Sequence, residues 1–110
     1  MIIDRDGNIT IITQEKVSIV DLVKKIEADY NTYKKSHFVI NLSSLKPITL
    51  QDIIEFLRLS KNHRGDKKSF VIVSDKVNLD EMPDELVVVP TIQEAFDIIE
   101  MEDIERDLGF

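Results

Sequence analysis

A chain of 110 residues, 43% apolar and 32% charged, has the make-up of one folded domain, long enough to bury a single core and too short for two. Its 21 acidic residues against 14 Lys and Arg give a formal net charge of -7, which opposes nonspecific attraction to nucleic-acid backbones and anionic membrane surfaces. The absence of cysteine excludes disulfide scaffolds, Cys-based zinc sites and thiol catalysis. The acidic start MIIDRDGN does not read as a secretory signal, and no apolar run approaches the roughly 18 residues of a membrane span, so a cytoplasmic location is expected.

MIID and ITIIT flank RDGN, and Asp6-Gly7-Asn8 supplies residues that accept positive φ, which predicts two short strands around a tight turn. The period then changes. Ile19, Leu22, Val23, Ile26, Tyr30 and Tyr33 share one face at helical spacing, and Ser18 with Asp21 makes a capping-box-like start, so a helix is expected over residues 18 to 34. Phe38-Val39-Ile40 is a compact run of β-formers suited to a central strand buried on both faces. Thr49 and Asp52 mark a second helix start, followed by Ile53, Ile54, Phe56, Leu57 and Leu59, with Gly65 placed where the departing chain needs a permissive backbone.

Phe70-Val71-Ile72-Val73 repeats the buried-strand signature, and the acidic connection from Asp75 to Pro83 has room for one short helix. Leu86-Val87-Val88-Val89 forms a last strand ended by Pro90, which has no amide to donate. Thr91 with Glu94 caps a final helix carrying Ile92, Ala95, Phe96 and Ile99, and residues 100 to 110 extend it as an acidic tail with Ile104 and Leu108 as apolar positions. The order β-β-α-β-α-β-(α)-β-α predicts an α/β fold: one domain over residues 1–110, a mixed, mostly parallel sheet of about five strands, and three to four helices.

Motifs for catalysis and cofactors are missing. Gly7, Gly65 and Gly109 are the only glycines, too few and too scattered for a dinucleotide fingerprint or a P-loop, so no cofactor is expected. The two histidines, His37 and His63, have no metal-ligand spacing, and no nucleophile elbow accompanies them. His37 is read as opening a strand and His63 as complementing the exposed carbonyls of a helix C-terminus. Arg58, Lys61, Arg64, Lys67 and Lys68 cluster at that same helix end, where the macrodipole favours cations and no aromatic residues interleave to stack bases. Glu94, Asp97, Glu100, Glu102, Asp103, Glu105 and Asp107 read as a solvated face. The functional alternative is an amphipathic element offering Met101, Ile104, Leu108 and Phe110 to a partner.

The strand HFVINLSSL, the loop to a capped helix, the strand KKSFVIVSD and the ending VVVPTIQEAFDIIE together resemble the STAS family of anti-sigma-factor antagonist domains, over roughly residues 9 to 100. In that family a strand ending in Asp-Leu-Ser leads through a loop to an Asp-Ser-x-Gly motif that opens the next helix. Here Asn41-Leu42-Ser43 fall on the strand end. The family's aspartate falls on Thr49, its regulated serine on Leu50, which has no hydroxyl, and its glycine on Asp52. The ending also resembles short Bacteroidetes-type proteins often labelled ribonuclease Z, although two isolated histidines cannot supply that enzyme's two-metal motif.

The STAS resemblance implies a non-enzymatic regulator with no metal and no catalytic residue, which binds a protein through the loop and helix over residues 43 to 57. On that resemblance Ser43, Ser44, Lys46, Thr49, Gln51, Asp52 and Glu55 are expected to supply the polar contacts, with Thr49 as the candidate phosphoacceptor in place of the missing serine. The alternative is an accessory protein of a ribonuclease Z-type RNA-processing enzyme. Either way the expected partner is a protein, anti-sigma-factor-like or RNA-processing, with neither membrane nor nucleic acid expected, and the chain a monomer or weak dimer.

Overall fold

Asp6 pairs with Ile9 at the end of an antiparallel hairpin, and Gly7 turns the chain at φ +59, a value that disfavours residues with a Cβ. A computed structural model describes residues 1–15, 18–45 and 48–109. The hairpin strands are β1 (Ile2–Asp6) and β2 (Ile9–Thr13), followed by β3 (His37–Asn41), β4 (Phe70–Val73) and β5 (Val87–Val89). Their spatial order is β1-β2-β3-β4-β5, with β2 to β5 mutually parallel. The sheet of five strands, one of them antiparallel, is the mixed α/β architecture expected from the sequence.

Between the strands lie α1 (Ile19–Ala28), α2 (Tyr30–Tyr33), α3 (Leu50–Ile54) and α4 (Leu57–Gly65), and α5 (Ile92–Asp107) closes the chain. Because the parallel strands advance in one direction across the sheet, crossovers of one hand place every connecting helix on the same face. Strand side chains divide accordingly. Ile12, Phe38, Ile40, Phe70 and Ile72 pack with Leu22, Ile26, Ile53 and Phe56 of the crossover helices, whereas Val39, Val71 and Val73 pack with Ala95 and Ile99 of α5. All five residues of β3 and all four of β4 are buried, as near-continuous apolar runs in a doubly covered sheet require.

Three expectations about helix bounds need correction. The helix over residues 18 to 34 is interrupted at Asp29 (φ -104, ψ 14), and α2 turns so that Tyr30 and Tyr33 set their ring edges against Phe38 at 6.1 and 6.5 Å. The second helix is interrupted at Glu55 and Phe56, where α3 gives way to α4 and Phe56 becomes fully buried. The permissive residue after α4 is not Gly65 but Lys67, at φ 64. Lys67 N–H donates to Arg64 O at 3.0 Å and Lys68 N–H to His63 O at 3.3 Å, which is a Schellman closure with lysine in the position glycine usually takes. The Asp75–Pro83 connection holds the one short helix it has room for, a 3-10 helix over Leu79–Glu81.

His63 is not an exposed helix cap. It is fully buried and stacked on Phe38 with 4.3 Å between ring centroids. A carbonyl only accepts, so His63 Nε2–H donates to Ser36 O at 2.8 Å, and Nδ1 accepts the Tyr30 hydroxyl proton at 2.7 Å. Both nitrogens are therefore committed in the neutral ring, and burial holds the pKa down at about 4. His37 is also buried. Its Nδ1 accepts Ser69 N–H at 2.8 Å while Nε2 faces Asp103 at 3.0 Å, and burial outweighs the carboxylate to lower its pKa.

The acidic end of α5 is likewise only partly a solvated face. Glu102 accepts from Ser69 Oγ at 2.6 Å and from Arg64 at 3.0 Å, and Asp103 faces His37 at 3.0 Å, so these acids tie α5 to α4 and to the amino-terminal ends of β3 and β4.

Candidate partner-binding surface

In an open α/β sheet, the loops at the carboxyl ends of parallel strands are where binding groups collect. The loop leaving β3 has this position. Asn41, the last residue of β3, accepts from both the backbone N–H and the hydroxyl of Ser43, at 3.1 and 2.6 Å, which folds the chain into an Asx-type turn. Leu42 is fully buried beneath it, and Leu45 N–H returns to Leu42 O at 3.0 Å. From the loop after β4, the Lys76 ammonium donates to the carbonyl of Ser43 and links the two loops.

At the far side of the loop, Thr49 caps α3. Its Oγ1 accepts Asp52 N–H at 3.2 Å while the Asp52 carboxylate accepts Thr49 N–H at 3.0 Å, a reciprocal capping box. With the box closed, Ile53 points into the core, and Leu50, Gln51, Ile54 and Glu55 form the outward face at i, i+4 spacing. Leu50 is 39% exposed, an apolar side chain amid polar neighbours.

The residues expected to bind a partner fall into three groups. Ser44, Thr49, Gln51 and Glu55 are exposed around the start of α3. Ser43 and Asp52 are half-buried, with Ser43 spent on Asn41 and Asp52 on the cap. Lys46 lies outside the described residues, as does Phe110. Sequence reasoning missed two neighbours. Leu50 was read only as the site of a lost serine; it stands three residues before the buried Ile53, and it is the folded cap of α3 that leaves it exposed. Val20, 43% exposed, lies off the Ile19, Leu22, Ile26 stripe of α1. Together with Ile54 and Leu57 it lines a groove of about 360 Å³ between α1 and α3–α4, bordered by the Glu27–Arg58 ion pair at 2.8 Å.

The surface is not arranged for nucleophilic chemistry. The hydroxyl proton of Ser43 is directed at an amide oxygen, and His37 stands at the opposite end of β3, about 13 Å away by strand rise. His63 is sealed beneath Tyr30 and Phe38. Among the described residues no group of three or more His, Asp or Glu side chains could hold a metal ion, and no helix is long and apolar enough to cross a membrane.

No family model matches the chain, and no curated protein matches it. Among solved structures, a chain from the molecular architecture of the stressosome, described as a signal integration and transduction hub, superposes with a TM-score of 0.60. The likeness covers 89% of this chain and 95% of that one at 13% identity, so what it establishes is architecture. The fold of this chain is STAS-like.

Proposed function

We infer that the chain acts as a single STAS-like domain with a non-enzymatic, regulatory role, binding a protein partner through the loop after β3, the outer face of α3 and the adjoining groove against α1. The observation that carries this reading is the outward face of α3. Leu50 and Ile54 sit beside Gln51 and Glu55 on a helix whose cap and buried Ile53 hold it rigidly, an apolar centre with a polar rim of the kind that anchors interfaces. The likeness to a chain of a signalling assembly supports the regulatory part of the reading.

Leu50 in place of the family's serine removes the usual phosphorylation switch. Thr49 is the substitute acceptor: a phosphate there would displace the oxygen that caps α3 and stand beside the Asp52 carboxylate, so modification would open the cap and loosen the binding face.

The test is affinity capture with the wild-type chain as bait, set against Leu50→Asp, Glu55→Lys and a control Lys35→Glu at the far end of β3. A partner retained by wild type and by the control, and lost from both α3 variants, supports the reading. Equal recovery by all four refutes it. The identity of the captured protein also decides the second reading, since an accessory role beside a ribonuclease Z-type enzyme predicts that enzyme on the bait.

A further inference from the structure

Among the described residues, one half of the α5 side of the sheet has no helix over it. Four interstrand spacings make the sheet roughly 19 Å wide, and a packed helix occupies about 10 Å of that width. α5 packs on β3, β4 and β5. The crossover helices are held to the other face by the strand order, so β1 and β2 remain open beside α5 over the width of one more helix.

The open strip is apolar at its floor and acidic at its margins. The antiparallel register sets Ile2, Asp4 and Asp6 opposite Thr13, Ile11 and Ile9, and directly opposed residues share a face. Ile9 and Ile11 belong to the α5-side cluster and are only half-buried, Ile2 is 47% exposed, and Ile104 of α5 is 54% exposed across from them. A groove of about 510 Å³ runs between the hairpin and α5, with Phe96 on its helix wall. Asp6, Glu100, Asp103 and Asp107 stand along it, Asp103 paired with Arg106 at 3.2 Å, and among the described residues no Lys or Arg lines it. Arg5, the basic residue of the hairpin, lies on the opposite face over the Tyr33 ring at 5.9 Å.

We propose that this groove docks an amphipathic helix of a partner protein, with a leucine-type stripe against Ile9, Ile11 and Ile104 and Lys or Arg flanking that stripe toward the carboxylates. Width selects a helix, and the sign of the rim selects its charge. A second copy of the chain is disfavoured as occupant because a two-fold pairing would set these carboxylates against themselves. The groove lies on the face of the sheet opposite α1 and α3, so this second docking surface is independent of the one proposed above.

The probe is a fluorescent peptide of about 18 residues made of leucine and lysine, with leucines at i, i+3, i+4 and i+7; the control keeps the leucines and replaces each lysine with glutamate. Binding is followed by anisotropy and mapped by amide NMR shifts. The Leu/Lys peptide should bind saturably and shift amides of Ile9, Ile11, Phe96 and Ile104, and affinity should fall at least tenfold in Ile104→Lys and in Asp6→Lys. The Leu/Glu peptide should not bind. Shifts centred on α3 or the β5 edge, comparable binding of the Leu/Glu peptide, or unchanged affinity in Ile104→Lys would overturn the assignment. So would a dimer in sedimentation analysis that dissociates in Ile104→Lys, because the groove would then belong to a second copy.

Discussion

Replacing His63 with glutamine should flatten the acid side of the stability profile. In the folded chain His63 has its pKa lowered from 6.5 to about 4, chiefly by burial. The unfolded chain therefore binds more protons than the folded one below pH 6.5, and stability falls as pH drops through that value toward 4. Integrating between those two pKa values gives a loss of about 2 kcal/mol between pH 8 and pH 5, and about 3 kcal/mol by pH 4. Glutamine keeps an N–H donor for Ser36 O but does not titrate, while losing the stacking on Phe38. His63→Gln should thus be less stable than wild type at pH 8, and the gap should close by about 2 kcal/mol at pH 5. His37, whose pKa is lowered in the same direction, is present in both proteins. Urea unfolding at half-unit intervals from pH 5 to 8 measures the gap. Parallel profiles, or an NMR titration of His63 with a midpoint near 6.5, would refute the buried neutral ring.

Three further outcomes follow from local geometry. Thr49→Ala opens the capping box of α3 and should cost about 1 kcal/mol in urea unfolding, and Asp52→Ala should add little beyond it because both residues serve one reciprocal cap. Lys67→Gly relieves a left-handed residue in the Schellman turn after α4 and should raise stability by roughly 0.5–1 kcal/mol; a loss of stability would mean that the lysine side chain contributes more than its backbone costs. Glu102→Gln weakens charged hydrogen bonds to Ser69 and Arg64 and should cost about 1–3 kcal/mol, with faster amide exchange concentrated in the second half of α5.

Local pattern made the strands legible. Phe38-Val39-Ile40 and Phe70-Val71-Ile72-Val73 announce two buried central strands, and Asp6-Gly7-Asn8 announces the hairpin that makes β1 antiparallel. The cap at Thr49 and Asp52 was legible too, because a capping box needs only three residues of separation. What the sequence hid was set by contacts distant along the chain. His63 looked like a helix-end cation, yet it continues the inward stripe of Phe56 and Leu59 and meets Ser36, 27 residues away. Glu102 and Asp103 looked like solvent-facing acids until folding brought them to Ser69, Arg64 and His37. The breaks at Asp29 and Phe56 follow from fitting Tyr30, Tyr33 and Phe56 onto the sheet, which periodicity alone does not encode. Leu50 was visible as a departure from a motif, whereas its exposed place on the outer face of α3 required the folded cap.

The central claim is that the outer face of α3 meets a protein partner. A photo-crosslinking amino acid placed at Gln51, with the same residue at Lys35 as the control at the other end of β3, tests it in cell extract. One discrete adduct is expected from position 51, suppressed by Leu50→Asp in the same chain, and none of that mass from position 35. Adducts of equal yield from both positions, or an adduct from position 51 that survives Leu50→Asp, would contradict it.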